Sequence, residues 1–242
     1  MTVAESAPRT VDAVVFDYGG VLTNPMRENV TAWVAADGID PASFTEALRS
    51  WLSRRAPAGS PIHRLETGEL APADFNRELA ARLRSVDGGP VVADDLLGRL
   101  FAGTVQDEET WRIVDDLRTL GVTVGLLSNS WGNAYPRTRI DALFDTVVIS
   151  EEVGLRKPEP DIFELTLRRL GTGPDGSVFA QSPGRVAFVD DAAPNLDGAR
   201  AVGMRGVLHR DAATTRAELA ELIPGLAPGA VGREKSIKED PQ

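Results

Sequence analysis

Four short segments carry residues whose types and spacing could do chemistry. The apolar run Val11–Phe16 ends in Asp17. Ser128 and Asn129 follow the run Val122–Leu127. Lys157 stands before Pro158, a few residues after the run Thr146–Ile149. The run Val186–Val189 ends in the pair Asp190-Asp191. Each run is short, rich in β-branched residues and bounded by turn residues, which predicts a strand. In an open α/β sheet, ligands bind beyond the carboxyl ends of the strands. The strand assignment alone therefore brings all four segments to one edge.

Carboxylates gathered there repel one another. At about 4 Å and an effective dielectric near 20, each pair costs about 4 kcal/mol. One ammonium does not offset that, but a hard divalent cation with oxygen ligands does. Mg²⁺ typically takes one or two carboxylates together with water and substrate phosphate. Two carboxylates and a phosphate dianion sum to roughly −4, against roughly +3 from Mg²⁺ and Lys157. That near-balance suits phosphoryl transfer, where catalysis is mainly positioning and charge stabilisation. A carboxylate can itself be the nucleophile and form an aspartyl-phosphate.

The elements that must position these residues fall into two textures. From Met26 to about Gln106, apolar residues recur three and four apart, as in Ser43–Leu52, Asp74–Leu83 and Asp94–Phe101. Gly and Pro clusters separate the segments, which predicts four or five short helices. Beyond Gln106, helices alternate with strands. Helices are expected over Glu108–Leu120, Tyr135–Leu143, Pro160–Leu170, Asn195–Val202 and Thr215–Leu222. The strands between them are those named above and Arg205–Leu208. Alternation of this kind predicts a doubly wound, Rossmann-like parallel sheet of the α/β class. The first strand belongs to that sheet, so the helical block is an insertion. Residues 1–24 and 106–223 are expected to form the core, 25–105 an inserted helical cap, and 224–242 a disordered tail. Gly171–Gly176 fits the letters of a dinucleotide-binding turn, but it follows a helix and reads as a loop.

The chain has 242 residues, 42% hydrophobic and 26% charged, with a net charge of −10. The acidic balance argues against nucleic acid or an anionic membrane as partner. The absence of cysteine removes disulfides, zinc-thiolate sites and cysteine nucleophiles together. No run approaches the roughly 18 apolar residues of a membrane span. The first residues lack a signal-peptide pattern, and a cytoplasmic location is the expectation.

Phe16-Asp17-Tyr18-Gly19-Gly20-Val21-Leu22-Thr23 resembles the first motif of the haloacid dehalogenase superfamily. Leu126–Asn129 resembles its second, Gly154–Phe163 its third and Phe188–Asn195 its fourth, in the double-aspartate form. The segment His63–Phe75 is similar to cap segments of the sub-branch that includes the phosphatase domain of soluble epoxide hydrolases and bacterial glucose-1-phosphatases. The resemblance implies Asp17 as nucleophile and metal ligand, with Ser128 and the Asn129 backbone holding the phosphoryl group. It implies Lys157 as the neutralising cation. The Gly19 carbonyl and Asp191 would hold Mg²⁺, with Asp190 a supporting ligand and Asn195 a further site residue. Trp131 is a candidate for the substrate pocket.

One departure stands out. Most phosphatases of that superfamily carry an aspartate two residues after the nucleophile as general acid and base, and here that position is Gly19. A positioned proton donor is typically worth 10²–10⁴-fold. Glycine there also permits a reshaped turn. His63 and Glu66 are the cap residues that could replace the donor. The resulting expectation is a Mg²⁺-dependent phosphatase acting on a small phosphorylated metabolite, with a sugar phosphate as one candidate. The alternatives are a 2-haloacid dehalogenase, a phosphomutase, or a catalytically degenerate binding or regulatory module.

Overall fold

The structure is a computed structural model and describes residues 8–52, 57, 59–171 and 182–227. Its core is a parallel sheet of five strands among the described residues: β1 (Ala13–Phe16), β2 (Thr123–Ser128), β3 (Thr146–Ile149), β4 (Val186–Asp190) and β5 (Arg205–Leu208). The strand order is β3-β2-β1-β4-β5. The chain leaves β1, builds outward through β2 and β3, then crosses back to place β4 on the other side of β1. That reversal opens the crevice in which doubly wound sheets bind ligands.

β1 is buried on both faces because its residues alternate between two apolar clusters. Val14 and Phe16 pack with Trp111, Val114 and Leu117 of α6 (Glu108–Thr119), Ile140 of α7 (Arg137–Leu143) and Leu219 of α11 (Ala212–Leu222). Ala13 and Val15 pack with Ile162 and Phe163 of α9 (Pro160–Leu170) and Leu196 and Ala199 of α10 (Ala193–Ala201). This two-sided burial explains why the strand reads as a continuous apolar run.

Among the described residues, five α-helices lie between β1 and α6: α1 (Met26–Ala36), α2 (Pro41–Ala47), α3 (Pro61–Glu66), α4 (Pro72–Arg82) and α5 (Leu96–Phe101). They enclose a third cluster of their own, with Trp33, Leu65, Phe75, Leu79, Leu96 and Leu100 buried in it. Trp51 is half-buried against that cluster, while Trp111 belongs wholly to the sheet core. A short helix, α8 (Ser150–Val153), follows β3.

Several boundaries differ from the sequence expectation, and local chemistry explains them. The helix expected from Ser43 begins at Pro41, because the Asp40 side chain accepts from the amides of Ala42 and Ser43. It passes into a π-helical turn over Leu48–Leu52. The helix expected from Tyr135 begins only at Arg137, which leaves Tyr135 outside it. β2 runs one residue further than expected, so Ser128 pairs with Ile149 as a strand residue. Of the expected loop after α9, residues 172–181 lie outside the described residues, as do 228–242 of the expected tail.

Candidate active site

The register of the sheet brings the reactive groups together. Phe16 pairs with Leu126 on one side and Val189 on the other. The Asp17 amide continues that pairing by donating to the Val189 carbonyl at 2.9 Å. The chain then turns, with the amides of Val21 and Leu22 donating to the Tyr18 carbonyl. Gly20 adopts φ +80°, and a Cβ there would lie 2.7 Å from Asp191 Oδ2. A glycine at this position therefore admits the Asp191 carboxylate beside the turn.

Lys157 is the centre of the charge arrangement. Its side chain is 1% exposed, and Nζ lies 2.8 Å from Asp17 Oδ1, 2.8 Å from Asp190 Oδ2 and 3.0 Å from the Leu127 carbonyl. Burial alone would pull the lysine pKa down. The carboxylates of Asp17 and Asp190 outweigh it and raise the pKa, so the ammonium persists. Asp17 is 5% exposed. Burial, reinforced by Asp190 and Asp191, pushes its carboxyl up to about 7, while Lys157 pulls the other way.

Asp190 is fully buried and its oxygens are committed. They accept from Lys157 Nζ, from the Ala192 amide at 2.8 Å, and from Asn195 Nδ2 at 3.1 and 2.9 Å. Four contacts match the roughly four lone-pair sites of a carboxylate. Asp190 thus orients Lys157 and Asn195 and still offers an oxygen to the carboxylate cluster, in the supporting place expected of it. The Asn129 side chain is similarly engaged. It donates to the Lys157 carbonyl at 3.0 Å and accepts from the Lys157 amide at 2.8 Å. It ties the second motif to the third, and only its backbone is left for the phosphate role expected of it.

The same geometry answers whether a divalent cation fits. One oxygen each of Asp17, Asp190 and Asp191 lies within 4.8 Å of the others. Asn195 Oδ1 is buried without a hydrogen-bond partner. Three carboxylates against one lysine leave excess negative charge, and all the donors are hard oxygens, which suits Mg²⁺. Asp17, Asp191 and the Gly19 carbonyl would hold the ion, with Asn195 and Asp190 in support.

Two sequence expectations change at Gly19 and in the helical layer. Gly19 does not take a left-handed conformation, and a Cβ there would meet only Met26 Cε at 4.0 Å. The turn is not reshaped, and the position has room for a side chain. Glu66 does line the cavity, but it is no unpaired acid. Its carboxylate accepts from Arg156 Nε at 2.6 Å and from Trp131 Nε1 at 2.9 Å. Ser150 Oγ also donates to the Glu66 carbonyl. His63 is not among the residues lining the cavity. Its Nε2 is buried without a partner, and burial, then the nearby Arg156, lower its pKa.

The cavity above these groups has a volume of about 610 Å³ and lies between the strand edge and the helical layer. Ser128, Lys157, Asp17, Asp191, Asn195 and Trp131 are among its lining residues. Sequence reasoning missed Tyr135, whose hydroxyl lies 3.0 Å from Ser128 Oγ and whose pKa burial raises to about 12. It also missed the pairing of Arg156 with Glu66. The only signal for that pair was a basic residue beside Lys157, which does not name its partner.

Comparison with known proteins agrees with this geometry. A sesquiterpene phosphatase of Aspergillus oryzae is 26% identical over 221 residues, covering 88% of this chain and 97% of the relative. Acyl-CoA dehydrogenase family member 10 of Mus musculus is 25% identical over 225 residues, covering 90% of this chain. This chain spans only 20% of that relative's length. Among solved structures, an enzyme of the same fold from Bacteroides thetaiotaomicron, in complex with magnesium and inorganic phosphate, superposes with a TM-score of 0.59. It is 20% identical, covering 83% of this chain and 94% of the other. A family model for haloacid dehalogenase-like hydrolases matches residues 11–203, and the four motifs it spans meet at one edge of a parallel sheet, so the chain belongs to that family of hydrolases.

Proposed function

We propose that this hydrolase is a Mg²⁺-dependent phosphatase that cleaves a small phosphomonoester through an aspartyl-phosphate on Asp17. One observation carries the reading: a buried Lys157 ammonium 2.8 Å from Asp17, within a cluster of three carboxylates. Relatives named as phosphatases support it, as does a fold neighbour bound to magnesium and phosphate.

Asp17 Oδ attacks phosphorus, and the bond from phosphorus to the alcohol oxygen breaks. The departing oxygen takes a proton from water. A second water then attacks the phosphorus of the aspartyl-phosphate, which releases inorganic phosphate and restores the carboxylate. Lys157 and Ser128 face the transferring group, and Lys157 offsets the charge that builds on it. Mg²⁺, held by Asp17, Asp191 and the Gly19 carbonyl, would supply the remaining positive charge. Residues 25–105 act as a cap that excludes bulk water from the reacting end. The substrate is a phosphorylated metabolite met in the cytoplasm. With Gly19 in place of an acid, esters of weakly basic leaving groups react fastest.

The test is hydrolysis of p-nitrophenyl phosphate at neutral pH, with Mg²⁺ or with EDTA, for wild type and Asp17→Asn. Turnover that needs Mg²⁺ and Asp17 is expected. Turnover that persists in EDTA, or in the variant, would overturn the mechanism.

A further inference from the structure

The cavity lining is mixed in kind. Asp17, Lys157 and Asp191 supply charge, and Tyr18, Met26, Ile62, Phe101, Trp131 and Tyr135 supply rings and aliphatic groups. Polar side chains also line the cavity, and those of Glu66, Gln106, Thr104 and Asn133 each engage a protein partner. Glu66 is held by Arg156 and Trp131. Gln106 donates to the Tyr18 hydroxyl at 3.0 Å and accepts from Trp111 Nε1 at 3.0 Å. Thr104 accepts from Asn29 at 3.0 Å, and Asn133 accepts from the Trp131 amide at 3.1 Å.

A sugar phosphate brings several hydroxyls into such a space. Each would lose water against a lining whose polar groups are in part already engaged by the protein, so hydroxyls gain little there. A hydrocarbon group loses nothing of the kind and gains from burial against rings and aliphatic side chains. The cavity volume, about 610 Å³, is that of a site for a whole small organic molecule, not for a phosphate alone.

We infer that the alcohol half of the substrate is an apolar, hydroxyl-poor hydrocarbon chain or ring, and that polyol phosphates are discriminated against. The inference rests on the phosphatase reading and deepens it. Its test is a homologous series, butyl, hexyl and octyl phosphate, set beside glucose 6-phosphate, all esters of primary alcohols. On the transfer scale of one methylene, kcat/KM should rise about fourfold for each carbon added. Hexyl phosphate should exceed glucose 6-phosphate at least about tenfold, because its chain leaves no hydroxyl unpaired. Phe101→Ala, with Ile62→Ala as the second variant if the first does not fold, should flatten the chain-length dependence through KM.

A flat series, or glucose 6-phosphate as the better substrate, would overturn the inference while p-nitrophenyl phosphate turnover keeps the hydrolase reading intact. If p-nitrophenyl phosphate is not turned over either, the hydrolase reading fails separately. Calorimetric binding of octylphosphonate against a glucose-derived phosphonate then decides the nature of the cavity. Tighter binding of octylphosphonate upholds the apolar preference, and equal or weaker binding overturns it.

Discussion

The strand edge and the helical wall both bury charge, and they do so to different ends. At the edge, Lys157 sits between Asp17 and Asp190 on groups set by three adjacent strands, and the carboxylates outnumber it. The surplus negative charge suits a divalent cation. In the wall, Glu66 and Arg156 are each 6% exposed and neutralise one another, with Trp131 completing the bonds. Nothing there asks for a charged ligand. The pair fastens α3 to the loop that carries Lys157. On the proposed function, the edge reacts and the wall closes over it and selects.

Substitutions should separate those roles. Asp17→Asn removes the proposed nucleophile and should lower kcat by at least about a thousandfold, with metal-dependent p-nitrophenyl phosphate turnover as the measure. Lys157→Met removes the cation between two buried carboxylates and should cost about 3–5 kcal/mol of stability in denaturant titration without metal. A smaller loss would mean that Asp17 takes up a proton in the variant.

Gly19→Asp goes the other way. The open space at Gly19 admits an acid, and the variant should raise kcat on alkyl phosphates about a hundredfold, with little change on p-nitrophenyl phosphate. An unchanged alkyl rate would show that departure of the alcohol does not limit turnover.

In the wall, Glu66→Gln and Arg156→Met should each destabilise the protein. Their double-mutant cycle should give a coupling of about 2 kcal/mol in denaturant titrations. If the comparison holds, these variants raise KM and alter kcat by less than about tenfold, since neither residue meets the transferring phosphoryl group. A collapse of kcat instead would join the wall to the chemistry.

The smallest effect is a pH response. The folded protein holds the His63 pKa below its ordinary value, by burial first and Arg156 second, while Glu66 and Glu159 oppose the shift. The stability from keeping this imidazole neutral is full above the unfolded pKa of about 6.5. It is lost as pH falls from there through the lower folded pKa. His63→Gln should reduce the fall in Tm on acidification, leaving kcat at neutral pH near wild type.

Much of this molecule was legible in one dimension. Strands buried on both faces read as apolar runs, and the polar residues at their carboxyl ends fall together on one edge of the sheet. Period and breakers also announced the helical insertion, though capping by Asp40 and the late start of α7 moved its boundaries and those of the core helices. Side-chain partnerships were not legible. Asp190 and Asp191 are neighbours of the same type, yet Asp190 is buried and spent on Lys157, Asn195 and a backbone amide, while Asp191 is exposed beside Gly20.

Sequence by itself determined the sheet, the run of helices between β1 and α6, and the family, because periodicity and residue type are local properties that survive without contacts. Only the tertiary structure decided that Asp17 and Asp190 hold the lysine while Asp191 is exposed beside Gly20. It alone decided that Glu66 is bonded to Arg156 and Trp131. These depend on distances between residues as far apart in the chain as Glu66 and Arg156, and on hydrogen bonds whose partners sequence spacing does not encode.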